Sequence, residues 1–200
     1  MLQLRTLGIF AATAAFGGTT LPALADAVWS ADTSRSAVTL SVPHLLVSRI
    51  TGTIPIASAT VVTEEGALAP HIVDVILDSA SLTTHDAKRD ADLRSDRFFD
   101  VIRFPMISFE SRRVTETGPL TFTVEGTLTM RGVSRPISFD THIGGLRVDG
   151  AKRRVRYEAI GRFRRSEYGM TYARGVVGDA VTLDVVIEAV SDGGVSPARR

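Results

Sequence analysis

Within six residues, His85-Asp86 and Arg89-Asp90 gather an imidazole, two carboxylates and a guanidinium, side-chain types that move protons in general acid–base catalysis. The same run also reads as a solvated helix face, with Asp90 and Arg94 at the favourable i,i+4 spacing for an ion pair. The other histidines, His44, His71 and His142, lack a close metal-ligand spacing, and a chain without cysteine cannot build a zinc ribbon. No G-x-S-x-G elbow, phosphate loop or dinucleotide fingerprint occurs. The residues form no catalytic constellation, so the expectation is a protein that is not an enzyme and carries no metal or cofactor.

A second concentration of charge is Lys152, Arg153, Arg154, Arg156, Arg162, Arg164 and Arg165. With Tyr157 and Phe163 inward, alternation points Arg154, Arg156, Arg162 and Arg164 outward on one strand pair. Such a face suits anionic lipid headgroups, each charge near a membrane surface contributing about 1 kcal/mol. It equally suits Asp184 and Glu188 on the next strand, and this cross-strand pairing is the preferred reading.

These side chains must be positioned by strands. Leu120, Phe122, Val124, Gly126, Leu128 and Met130 alternate with polar residues; Val155, Tyr157, Ala159, Gly161 and Phe163 alternate with Arg156, Glu158, Ile160 and Arg162, and Val181, Leu183, Val185, Ile187 and Ala189 with Thr182, Asp184, Val186 and Glu188. Period two gives each strand one dry and one wet face, the mark of antiparallel sheet. Shorter runs at Val38–Val42, Ile50–Ile56, Ile72–Leu77, Ile107–Glu110 and Ile137–Ile143 bring the expected total to eight or nine strands. Arg131-Gly132-Val133-Ser134 reads as a four-residue hairpin loop pairing Met130 with Arg135. That register sets Gly126 opposite Phe139 and Leu128 opposite Ile137. The one helical segment lies near 84–99, with Thr84 or Asp86 as its cap. A long loop from Arg165 to Gly178 holds Tyr168-Gly169-Met170.

The first 25 residues read as a cleaved export signal. Arg5 precedes the mostly apolar run Leu7–Phe16, and Ala23-Leu24-Ala25 is an A-x-A cleavage pattern. Removing them takes the basic count from 23 to 22, equal to the 22 acidic residues, and a neutral chain gives no reason to expect a nucleic-acid partner. Residues 26–190 are read as one domain and 191–200 as a frayed tail. With no cysteine, an exported protein relies on its core alone.

A dry face must be hidden. A two-sheet sandwich and a closed water-soluble barrel both fit, whereas aromatics at 6% give no pair of girdles for an outer-membrane barrel. Small dry-face residues (Gly126, Ala159, Gly161, Ala189) leave room inside unless bulky neighbours such as Phe139 fill the gaps. The pattern alone does not choose.

Several short motifs do. They are Trp29-Ser30-Ala31-Asp32, His44-Leu45 with Gly52, Ser81-Leu82-Thr83-Thr84, Arg89-Asp90, Leu93 and Phe98-Phe99-Asp100. Pro105, Ile107, Phe109, Gly126-Thr127-Leu128-Thr129, Arg131-Gly132-Val133, Pro136, Tyr168-Gly169-Met170 and Val181 with Leu183 continue the order. This succession closely resembles the YceI-like family of lipocalin-like barrels that bind polyisoprenoids and other long-chain lipids. It departs at Arg35, where the family usually has histidine, and at Tyr168, where phenylalanine is usual.

The resemblance implies an all-β fold: an extended antiparallel, about eight-stranded, lipocalin-like barrel. It implies an exported, periplasmic carrier for a long apolar lipid such as a polyisoprenoid or isoprenoid quinone. The alternatives are an enzyme acting on a lipid in the barrel, or a ligand-free structural module. Expected lining residues are Leu40, Val42, Ile107, Phe109, Phe122, Val124, Gly126 and Leu128, then Phe139, Ile143, Tyr157, Phe163, Leu183, Val185 and Ile187. Phe98 and Phe99 are expected to close one end, and His44, Arg89 and Tyr168 to meet a headgroup. No cofactor beyond a bound isoprenoid or fatty-chain lipid is implied. Partners would be that lipid and, transiently, a membrane surface or membrane cytochrome.

Overall fold

Pairing of the alternating strands decides where their dry face goes. The computed structural model describes residues 26–45, 48–191 and 195–196. Its strands are β1 (Asp26–Ala31), β2 (Ala37–His44), β3 (Ser48–Ile54), β4 (Ile56–Glu64), β5 (Pro70–Asp78), β6 (Met106–Gly118), β7 (Thr121–Met130), β8 (Val133–Asp149), β9 (Lys152–Arg164), β10 (Ala180–Ser191) and β11 (Val195–Ser196). All pairings are antiparallel.

Two walls are each built from two strands. Asp32 organises the break between β1 and β2, its carbonyl accepting from Ser36 Oγ at 2.8 Å and its carboxylate from Ser34 Oγ at 2.6 Å. Pro55, which has no N–H for a ladder, separates β3 from β4. With each pair counted as one wall, the chain winds up and down through eight walls. β10 then closes the ring by pairing with β2 along Thr182–Val186 and with β1 at Ala189 and Val190. After closure only β3 and the two-residue β11 have a strand neighbour on one side alone among the described residues. The apolar positions point inward, the opposite of an outer-membrane barrel.

The core follows the alternation. Trp29 is fully buried, its indole N–H donating to Thr63 Oγ1 at 3.1 Å, and the Arg153 guanidinium lies 5.1 Å from its ring centroid. Phe109 and Phe139 meet edge to face at 5.2 Å.

The β7–β8 register corrects the expected one. Arg131 and Gly132 alone form the turn, both with positive φ (54° and 71°), and Met130 pairs with Val133. A two-residue turn with positive φ at both positions matches the strands' right-handed twist, which a four-residue loop did not anticipate. Gly126 therefore faces Ile137, Leu128 faces Arg135, and Phe139 faces Val124 on one side and Gly161 on the other. A Cβ at Gly161 would lie 2.5 Å from the Phe139 ring, and one at Gly126 would lie 2.6 Å from the Phe109 ring. At these two positions bulky rings fill the gaps.

The barrel has two unlike ends. The hairpin end carries the turns at 65–69, 119–120 and 150–151. The helical end carries α1 (Ala87–Arg94) and the loop 165–179. Asp86 caps α1, accepting from the Arg89 N–H at 3.0 Å. The export segment lies outside the described residues, as does most of the expected tail; Val195–Ser196 of that tail pair with β1.

Candidate functional site: the barrel lumen

Inward-facing side chains line an apolar cavity of about 70 Å³. Of its sixteen lining residues, only Thr141 and Tyr157 bear a polar side-chain atom, and none is charged. Such a space takes hydrocarbon and excludes ions, because an unpaired charge moved out of water is costly. Burial pushes the Tyr157 phenol above its ordinary value, so it stays a neutral donor, and its hydroxyl donates to the Leu68 carbonyl at 2.9 Å.

Eight of the expected lining residues border the cavity: Phe109, Val124, Leu128, Phe139, Tyr157, Leu183, Val185 and Ile187. Leu40, Val42, Ile107, Phe122, Gly126, Ile143 and Phe163 also face inward but pack elsewhere in the core. Ala159, expected on the dry face, and Val38, Val61, Pro70, Val73, Val75, Leu77 and Thr141, which were not expected to line the cavity, complete the wall. The β5 members were hidden because Ile72 and Ile76 put apolar residues on the outer face too, blurring the period.

The helical end gathers the other expected residues, each with a local partner and none bordering the cavity. Phe98 and Phe99 are buried there, Phe98 edge-on to Tyr172 at 5.7 Å. Tyr168 is buried, its hydroxyl 3.4 Å from the Leu128 carbonyl and its ring edge-on to Phe163; burial pushes its phenol up to about 12. His44 Nδ1 lies 3.3 Å from Ser48 Oγ. Arg89 donates to Thr84 Oγ1 at 2.8 Å and to the Thr84 carbonyl at 3.1 Å.

The acid–base cluster is taken apart by the fold. Asp90 is buried and accepts from the Thr84 N–H (2.7 Å), Thr84 Oγ1 (2.5 Å) and Thr83 Oγ1 (3.0 Å). The Thr84 hydroxyl above all holds its carboxyl below the ordinary range. His85 is exposed, and its imidazole bonds to nothing among the described residues. The expected Asp90–Arg94 pair acts only through charge, Arg94 helping to lower the Asp90 carboxyl, while its guanidinium donates to the carbonyls of Ala80 (2.9 Å) and Leu82 (2.6 Å). A carboxylate that can satisfy its lone pairs on threonines leaves the guanidinium free to order the chain before the helix.

Arg165 was counted with the surface cations and is instead buried. Its guanidinium donates to the carbonyls of Met170 and Tyr172 (both 2.8 Å), Val177 and Gly178 (both 2.9 Å). It is the centre around which loop 165–179 is wound, and nothing in a run of basic residues marks one as interior. Of the outward arginines, Arg156 pairs with Glu188 at 3.0 Å as expected and also with Glu158, whereas Arg154 reaches Asp32 at 3.0 Å. Among the described residues no His, Asp and Glu cluster could hold a metal ion.

A closed eight-walled barrel around an apolar lumen defines a lipocalin-like protein. The family model for the YceI-like domain matches residues 29–189, and the chain belongs to that family. A UPF0312 protein of Enterobacter sp. is 31% identical over 155 residues, covering 76% of this chain and 80% of its own. Protein YceI of Salmonella newport is 30% identical with the same coverage. Among solved structures, Burkholderia cenocepacia BcnA superposes with a TM-score of 0.66 at 18% identity, over 80% of this chain and 99% of its own. A polyisoprenoid binding domain from Saccharophagus degradans gives 0.61 at 15% identity, over 84% and 99%. The likeness of these structures is one of fold.

Proposed function

We propose that this protein is an exported, periplasmic carrier that holds a long apolar chain, a polyisoprenoid or isoprenoid quinone, inside its barrel. The observation that carries this reading is the lumen itself: lined almost wholly by hydrocarbon and without a charge. A lipid tail gains roughly 0.8 kcal/mol per methylene removed from water, so such a wall needs few polar contacts. The Saccharophagus degradans neighbour, described as a polyisoprenoid binding domain, supports the same ligand class. The lumen is narrow, about 70 Å³, against roughly 300–1,000 Å³ for small-molecule pockets. Loading therefore moves lining side chains aside. Asp90, fully occupied by threonines, is unsuited to proton transfer, which favours carriage over turnover.

The membrane contact falls to the β8–β9 hairpin. Leu146 and Val148 are 44% and 64% exposed there, beside Arg147 and Lys152. Apolar tips flanked by cations suit an anionic bilayer surface.

Native mass spectrometry of the protein taken from its own periplasm tests the reading, with one retained long-chain lipid as the expected result. Ala159→Leu, which adds three carbons to the lumen wall, should abolish that retention while leaving the fold intact. Lipid-free protein that also fails to take up isoprenoid quinones in vitro overturns the carrier.

A further inference from the structure

The helical end is a floor. Arg94, Arg131 and Arg165 all donate to main-chain carbonyls there, and Ser79 Oγ donates to the carbonyls of Phe104 and Pro105. The hairpin end is held differently. Tyr157 stands on β9, four walls round the ring from β5, and its hydroxyl reaches across to the Leu68 carbonyl on the loop just before β5. The bond joins walls that are not neighbours in the sheet. The loop it holds is slight: Glu65 and Gly66 are exposed, Gly66 has φ +83°, and Leu68 and Ala69 are half-buried against the core. Pro70 and Val73, which follow the loop, line the cavity directly.

We propose that loop 65–69 is the door of the lumen and that Tyr157 holds it, donating its hydroxyl to the Leu68 carbonyl when shut and to an acceptor oxygen of an uncharged lipid terminus when loaded. The proposal rests on the carrier reading and narrows it. Tyr157 is the one lumen residue whose donor already bonds to a movable group, so a ligand oxygen can replace the Leu68 carbonyl with no donor left unpaired. A diphosphate terminus finds no cation among the lining residues and stays outside the door. The terminus inside is then an alcohol, ether or carbonyl.

The test uses the mature protein, its Tyr157→Phe variant and three probes: geranylgeraniol, squalene and geranylgeranyl diphosphate. The empty variant loses its bond to Leu68 just as the loaded one loses its bond to the alcohol, so geranylgeraniol should keep its affinity. Squalene, which has no oxygen and leaves the wild-type hydroxyl unpaired, should bind the variant about five- to tenfold more tightly, so the preference for alcohol over hydrocarbon shrinks. Both probes should leave the variant faster, and amide exchange at 66–69 should accelerate. Geranylgeranyl diphosphate should bind less tightly than the alcohol in wild type. Leu68→Gly, which keeps the carbonyl but removes the packing, should speed release without changing the preference for alcohol over hydrocarbon. If wild type binds the probes and Tyr157→Phe alters neither that preference nor exchange at 66–69, the door and its latch are refuted while the carrier stands. If no probe binds, the carrier reading and the ligand half of the proposal fall together, and amide exchange alone decides the latch.

Discussion

At the helical end of the barrel, guanidiniums, those of Arg89, Arg94, Arg131 and Arg165 among them, bind main-chain carbonyls; at the hairpin end, a neutral phenol reaches across to one. The contrast is one of exchangeability. Arg165 is a buried charge whose four acceptors, all main-chain carbonyls, belong to the loop it organises. Removing it leaves carbonyls without donors in a place water does not easily reach. Tyr157 loses one neutral hydrogen bond on opening, a net change of about 0.5–1.5 kcal/mol. A protein that must both keep a shape and let something in benefits from placing its irreversible contacts at one end and its reversible one at the other.

The harshest way to break this contrast is Arg165→Met, which keeps the stem and deletes the donors. It should cost about 3 kcal/mol or more, since several buried acceptors are orphaned together. Urea unfolding measures this, and a midpoint close to wild type would show that the floor does not depend on the guanidinium.

Next in size is a pair of glycines. A Cβ at Gly126 would lie 2.4 Å from the Glu110 carbonyl, whereas one at Gly145, on the β8–β9 hairpin, meets nothing within 4 Å. Gly126→Ala should therefore destabilise by about 1–3 kcal/mol. Gly145→Ala should stay within about 0.5 kcal/mol of wild type. Similar midpoints for the two would mean that the barrel wall yields more than its packing indicates.

Acid should also separate the ends. Asp90 and Asp179 both belong to the helical end, and both titrate below their ordinary value of 3.8. Asp90 is lowered chiefly by the Thr84 hydroxyl; for Asp179, burial opposes a larger combined lowering by Ser166 and the nearby arginines. A carboxylate with a depressed folded-state pKa stabilises fully above its unfolded value, and that contribution is lost as pH falls through the folded one. Thermal midpoints followed from about pH 6 to pH 2 should drop below the ordinary carboxylate range, and Asp90→Asn should flatten that drop. An identical acid profile in the variant would remove Asp90 from the floor. The smallest effect is expected at His85, exposed with φ +61°. His85→Asn, which suits the same backbone region, should leave stability and lipid uptake unchanged. A turnover reaction abolished by it would restore the catalytic reading.

Most of the barrel was legible because β7 alternates cleanly and β9 and β10 nearly so, broken on the outer face by Ile160 and Val186. Closure was not, since an up-and-down barrel and a sandwich share the same period and differ only in whether β10 returns to the first strands. The cavity was read in half. β4 buries Val61 and Val62 in succession, and β5 exposes Ile72, so neither announces which side faces in. The family motifs pointed correctly to a lipocalin-like barrel. They drew attention to His44, Arg89 and Tyr168, which all lie at the closed floor. Arg165 was invisible for a simpler reason: its interior position depends on a loop that folds around it, and no spacing in the chain records that.

The return of β10 to β1 and β2 has a consequence for how the protein is made. The contacts that close the ring join residues near 30–41 to residues near 182–190. Nearly the whole chain must be synthesised before any barrel can shut, and pairings of such long sequence separation form slowly. A nascent chain of this design remains open and threadable until its last strand appears, the condition a polypeptide needs if it is to cross a membrane before it folds.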